Sequence, residues 1–240
     1  MVLSRPPRRS GRGLLAPALG VAALALLAGA SAVSRGAVAD RRVSADELRA
    51  VADDLAKAHG FRVPVDATVI EEVNVIVGDA TLRAKFRAGL ERLAAYHVLG
   101  EEALRRHGVP GELLAIPQVE SRVQPLPASA NRNGCAGRWQ FLPATARSYG
   151  LRVEGTTDDR FDQTREVEAA AAFLAALYAD LHDWPLAIAA YNHGRPKVRA
   201  VMARTGVTDA AALVKSGALT RYSSQVLAAM LLIQRPALVD

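Results

Sequence analysis

The chain has 240 residues, half of them hydrophobic (50%), with 30 Lys and Arg, 24 Asp and Glu, and one Cys. This composition excludes disorder over most of the length and suffices for one or two packed domains without metals or disulfides, and a lone Cys forms no internal bridge. The net charge of +6 belongs to the beginning: residues 1–39 hold five arginines and no acid, which leaves 25 basic against 24 acidic residues afterwards, so the general basic footprint of a nucleic-acid binder is absent.

Residues 1–39 read as an export segment. Arg5, Arg8, Arg9 and Arg12 precede an uncharged apolar run over residues 13–33, with small-residue cleavage sites at Ala30-Ser31-Ala32, near its end, and Ala37-Val38-Ala39, beyond it. The run is about 20 residues long, enough to span a bilayer, so an uncleaved anchor with Arg8 and Arg9 inside is the alternative to a cleaved signal peptide. Either places the chain in the periplasm or cell envelope. No Cys follows the run, so no lipid anchor is expected.

After the leader the pattern is helix after helix. Ser44-Ala45-Asp46-Glu47 is a capping box, Leu48, Val51, Ala52 and Leu55 recur at helical spacing, and Gly60 stands past the end. Further helices are predicted over residues 66–77, 80–95, 100–107, 111–120, 144–149, 164–181, 185–191, 196–204, 209–214 and 222–234. The one strand-like stretch, 61–65, is interrupted by Pro64. The fold class is all-α, divided into the leader (1–39), a helical N-terminal extension (40–95) without an interpretable motif, and a third segment, 96–240.

Residues 121–142 break the monotony with Pro125, Pro127, Asn131, Asn133, Gly134 and Gly137, and a loop of that length usually has a function. It starts directly after Glu120, which ends an apolar helix. A carboxyl group at such a junction is partly desolvated, and desolvation raises its pKa so that it holds a proton to donate at neutral pH. No acid follows until Glu154, whereas Arg122, Arg132, Arg138, Arg147 and Arg152 do. The acid reading requires Arg122 and Arg138 to point away from Glu120; the alternative is a surface Glu at a helix end. His59, His97, His107, His182 and His193 lack metal-ligand spacing, so neither metal nor cofactor is expected.

Three ordered motifs resemble a known family. Pro117-Gln118-Val119-Glu120-Ser121, with Pro125 and Ser129 following, is similar to the Glu-Ser signature of lytic transglycosylases related to goose-type lysozyme. Gly134 to Leu151, with Arg138-Trp139-Gln140-Phe141-Leu142-Pro143-Ala144-Thr145-Ala146 at its centre, resembles their Gly-Leu-Trp-Gln-Phe-Met-Pro-x-Thr-Ala motif. Asp183-Trp184-Pro185, leading to Ala190-Tyr191-Asn192-His193-Gly194, resembles their Ala-Tyr-Asn-x-Gly motif. The nearest variety is the membrane-bound type D, whose distal helix is similar to residues 222–229.

The resemblance implies a lysozyme-like multi-helix domain over residues 96–240 acting on peptidoglycan glycan strands; a monomer is expected. It implies cleavage of the β-1,4 bond between N-acetylmuramic acid and N-acetylglucosamine without water, leaving a 1,6-anhydro end. Glu120 is then acid and base, Ser129 a hydroxyl near it, Gln140 a sugar contact, Tyr191 a phenol packed by the acid, and Asn192 a group fixing substrate or loop. The bland counterparts are a turn residue, a surface amide, a core aromatic and a helix cap. Trp139, Phe141 and Trp184 read as core aromatics. Three departures stand out. The loop between Ser129 and Gly134 is two residues longer than usual, so Asn131 is the alternative to Ser129. Arg138 replaces an apolar residue that lines the cleft, and Cys135 occupies a small-residue position. Two other outcomes stay open: lysozyme-like hydrolysis, and a scaffold that grips peptidoglycan without cutting it.

Overall fold

Ser44 opens the first helix among the described residues, α1 (Ala45–His59), by accepting the Glu47 N–H at 3.2 Å, and Gly60 closes it in a left-handed conformation (φ +74°). Asp66 caps α2 (Ala67–Gly78) through the N–H groups of Thr68 and Val69. These elements come from a computed structural model that describes residues 41–130 and 133–240. The expected leader with its apolar run 13–33, and the alternative Asn131, lie outside the described residues. Among those described, no helix is long and apolar enough to cross a membrane.

Helix α3 (Ala80–Arg106) runs 27 residues without a break where the sequence pattern predicts two helices, and it passes through the expected boundary at residue 95. The reason is Gly100. It is a close approach, not a stop: a Cβ there would lie 2.6 Å from the Leu114 side chain. The helix tolerates the roughly 1 kcal/mol cost of an interior glycine to let the next segment pack closely. That segment, expected as one helix, is a 3-10 turn (Gly111–Leu114) followed by α4 (Ala115–Ser121).

The irregular stretch then leads through α5 (Pro143–Ser148) into a small antiparallel hairpin, β1 (Val153–Glu154) and β2 (Thr157–Asp158), too short for its pattern to be seen in sequence. Helices α6 (Gln163–Leu181), α7 (Trp184–His193), α8 (Arg195–Thr205), α9 (Ala210–Lys215) and α10 (Tyr222–Gln234) complete the all-α fold. Helix α10 is apolar on nearly every side, the pattern of a buried helix, and ten of its 13 residues are buried. It packs against α2, α4, α7 and α1, so the N-terminal extension and the segment bearing Glu120 meet on the same central rod.

Candidate active site

Glu120 lies in the last turn of α4. The helix stops there because Arg122 and Val123 both adopt left-handed backbone (φ 54° and 60°), a conformation that costs a non-glycine residue about 1–3 kcal/mol and needs outside support. The support comes from α3. Arg92 Nε donates to the Arg122 carbonyl at 2.7 Å, and Gln118 Nε2 donates to the Phe86 carbonyl at 2.9 Å. Glu120 is thus anchored two residues before and two residues after.

The Glu120 side chain is half-buried, and the Tyr222 hydroxyl donates to its Oε1 at 2.6 Å. Burial pushes its pKa up to about 7, opposed by the bond from Tyr222. Among the described residues Glu120 forms no ion pair. Arg138 turns to the buried Glu166, with Nη1 2.7 Å from Oε1, and its guanidinium lies 5.6 Å over the Tyr96 ring. Burial and the nearby Glu120 charge raise both Tyr222 and Tyr191 well above the ordinary phenol value, so both remain donors at neutral pH.

The segment Gly137–Phe141 is held beside this carboxyl from many directions. Gly137 N–H donates to Leu126 O, and Ala136 and Phe141 exchange backbone bonds. Ser121 Oγ donates to Arg138 O at 2.7 Å and Tyr191 OH to Trp139 O at 2.7 Å, while Trp139 Nε1 donates to Tyr96 OH at 2.9 Å. The buried Arg160 donates to Gly134 O and Phe141 O and pairs with Asp158 at 2.6 Å. A loop so cross-linked is a preorganised wall, the property an active site needs.

Gln140, half-exposed with φ +51°, turns its amide onto Gly137 O at 2.7 Å. The Tyr191 hydroxyl binds the Trp139 carbonyl, and the phenol on Glu120 belongs to Tyr222. Ser129 is exposed on a 3-10 turn (Ala128–Ala130). Asn192 is 1% exposed and does not cap its helix, since α7 ends at Gly194; its Nδ2 has no hydrogen-bond partner among the described residues. Trp139 and Phe141 are core residues, whereas Trp184 is half-buried and stacks on Tyr178 with ring centres 4.2 Å apart. Cys135 is buried, and burial pushes its thiol up to about 11, a packed and unreactive state. Among the described residues no three His, Cys, Asp or Glu could hold a metal. An open cavity of about 1020 Å³ elsewhere, walled by Val98, Tyr178 and Trp184, contains none of the candidate residues.

Tyr222, Ser121 and the Arg138–Glu166 pair escaped the sequence reading as site-building residues. Tyr222 lies 102 positions from Glu120, and the only signal was its place at the head of the distal helix.

Comparison with known proteins places these features. Residues 97–214 match the Transglycosylase SLT domain. The membrane-bound lytic murein transglycosylase D of Escherichia coli K12 is 35% identical over 121 residues, covering 50% of this chain and 24% of that protein. The peptidoglycan transglycosylase gp16 of Escherichia phage T7 is 36% identical over 106 residues, 43% of this chain and 8% of that protein. The chain therefore spans a quarter or less of the length of these curated relatives. Glu120, its Glu-Ser helix, the clamped loop and the Tyr191 helix all fall inside the matched residues, and residues 97–214 form a domain of the SLT-type transglycosylase family.

Proposed function

We propose that this protein is an exported peptidoglycan lytic transglycosylase that cuts the β-1,4 bond between N-acetylmuramic acid and N-acetylglucosamine, with Glu120 as both acid and base. The observation that carries this reading is the seat of Glu120: half-buried, paired with no cation among the described residues, its pKa pushed up to about 7 by burial, and hydrogen-bonded by Tyr222.

In this mechanism protonated Glu120 gives its proton to the bridging oxygen as the C1–O bond breaks. The sugar's own 6-hydroxyl oxygen then bonds to C1 and loses its proton to the Glu120 carboxylate, which restores the acid and leaves a 1,6-anhydro end; no water is consumed. The nucleophile is already bound with the substrate, so its entropy of approach has been lost beforehand. One carboxyl group suffices. In keeping with that, buried carboxylates elsewhere are engaged by arginines: Glu166 by Arg138, Asp159 by Arg152 and Glu72 by Arg221. Tyr222 supports the anion between the two proton transfers. Gln140 and Ser129 are the proposed glycan contacts, and Tyr191 and Asn192 support the wall from behind.

Glu120→Gln is expected to lower release of anhydro-muropeptides from purified sacculi by at least about 100-fold, the lower range for loss of a general acid, while circular dichroism stays unchanged. Mass spectrometry of the wild-type products reads the route directly: transglycosylation products are one water lighter than hydrolysis products. Sacculus binding without cleavage by the unmutated chain would overturn the enzymatic reading. For export, the mature N-terminus is expected after Ala32 or Ala39, or at residue 1 in a membrane fraction.

A further inference from the structure

Residues 41–96 lie outside the matched domain, and so does α10, yet the hydrogen-bond partner of Glu120 sits at the head of α10. No side chain caps the start of α10, so its first turn is not fixed by the usual local device. It is fixed from α2. Arg221, the residue before Tyr222, donates through Nη1 to Glu72 Oε1 at 3.2 Å and through Nη2 to Glu71 Oε2. Glu72 is buried, 6% exposed, and also hydrogen-bonds with Gln225 one turn along α10. The other end of the acid's hydrogen bond is anchored from the same extension, through Phe86 to Gln118 and through Arg92 to Arg122.

We infer that the N-terminal extension braces the acid, and that the clamp of Arg221 on Glu71 and Glu72 makes Arg221 a positioning residue that sets the Tyr222 hydroxyl on Glu120. The inference rests on Glu120 being the acid. Its physical basis is geometric. A hydrogen bond between two side chains on different helices holds only while both helix ends stay within about 0.5 Å of their places, and here each end is tied to residues 71–92. A carboxyl group that must change charge twice per cut is sensitive to the placement of the Tyr222 donor. Among the described residues, the titratable groups facing this carboxyl include Tyr222 from α10, Tyr191 from α7 and Cys135 from the clamped loop. Arg221 faces Glu71 and Glu72 on α2, with Gln225 beside Glu72.

The test follows the Glu120 carboxyl itself by ¹³C NMR of the full chain labelled at glutamate Cδ, with the resonance assigned by its loss in Glu120→Gln. A donated hydrogen bond favours the ionised carboxyl, so Tyr222→Phe is expected to raise the titration midpoint. Arg221→Gln is expected to raise it in the same direction by about half a pH unit, roughly threefold in the ionisation constant. Added to Tyr222→Phe, Arg221→Gln is expected to move it no further, because the two act through one bond. Arg221→Lys, which keeps a cation between the two acids, is expected to restore part of the shift. If Arg221→Gln does not fold, Glu72→Gln, nearly the same shape, is read in the same titration. An unmoved midpoint in the folded variant, or shifts that add fully in the double variant, would overturn the inference. The titration needs no turnover, so it stands apart from the proposed activity: a wild-type chain that releases no anhydro product defeats that activity, whereas an unmoved midpoint in an active enzyme defeats the brace.

Discussion

Arg138 binds both oxygens of Glu166: its Nη1 donates to Oε1 at 2.7 Å, and its backbone N–H donates to Oε2 at 3.0 Å. Glu166 is fully buried and Arg138 is 8% exposed. An apolar residue at 138, as in the motif this segment resembles, leaves the Glu166 carboxylate without its cation. Removing one partner of a buried pair costs about 3–5 kcal/mol. Arg138→Leu is therefore expected to lower unfolding stability by about that amount in urea titrations, while Glu166→Gln, whose amide oxygen still accepts one bond, is expected to cost less.

The same pair explains why the arginine beside the acid does not silence it. With Arg138 turned away, the rate is expected to follow the protonated fraction of Glu120 and to fall as pH rises through about 7, where burial places its pKa. Stability moves with the same group. The folded chain holds this proton between the ordinary value of 4.5 and about 7, whereas the unfolded chain has lost it. In that window the folded state binds more protons, and folding is weakened as pH rises. Glu120→Gln removes the effect. The stability difference between variant and wild type is expected to grow in favour of the variant from pH 4.5 to pH 7 and then level off, which denaturant titrations across that range will show.

Gly137 has φ +83°, and a Cβ there would lie 2.2 Å from the Arg160 carbonyl oxygen and 2.7 Å from Glu166 Oε2. Backbone, not a flexible side chain, occupies the closer place. Gly137→Ala must displace the loop from Arg160 and break the two ladder contacts that flank it. It is expected to lower the melting temperature and to abolish sacculus cleavage together, in contrast to Glu120→Gln, which removes cleavage without lowering the melting temperature. Thermal melts of the two variants, read beside their product yields, separate these outcomes.

Much of this was legible along the chain. The capping Ser44 and Asp66, the run from residue 164 to 181 and the apolar distal helix each carry their own local signal, and the structure forms all of them. Glu120 stands out in the sequence because an apolar helix yields there to a loop rich in breakers. What stayed hidden depends on contacts between distant segments. Gly100 has the same letter whether it ends a helix or admits Leu114, and only the fold decides. Arg138 looks like a threat to Glu120 until Glu166, 28 positions on, claims it. Tyr222 could not be linked to Glu120 by any spacing, since α10 reaches α4 only through the packed core.

Two tyrosines stand near the acid and do different work, and single substitutions will separate them. Tyr191 OH supports the Trp139 carbonyl, so Tyr191→Phe leaves a buried acceptor unpaired, at a cost of about 1–3 kcal/mol, and loosens the wall that carries Gln140. Its expected signature is lower stability and a raised KM, with the pH dependence of the rate little changed. Tyr222→Phe removes the only hydrogen bond that the described residues donate to the Glu120 carboxyl. The ionised form loses support, its pKa rises, and the alkaline limb of the rate profile is expected to move to higher pH while kcat falls about tenfold, the loss expected for one charge-assisted bond of about 1.4 kcal/mol. Should Tyr191→Phe shift that limb and Tyr222→Phe leave it in place, the two roles are exchanged, and the proton-bearing carboxyl takes its support from α7 instead of α10.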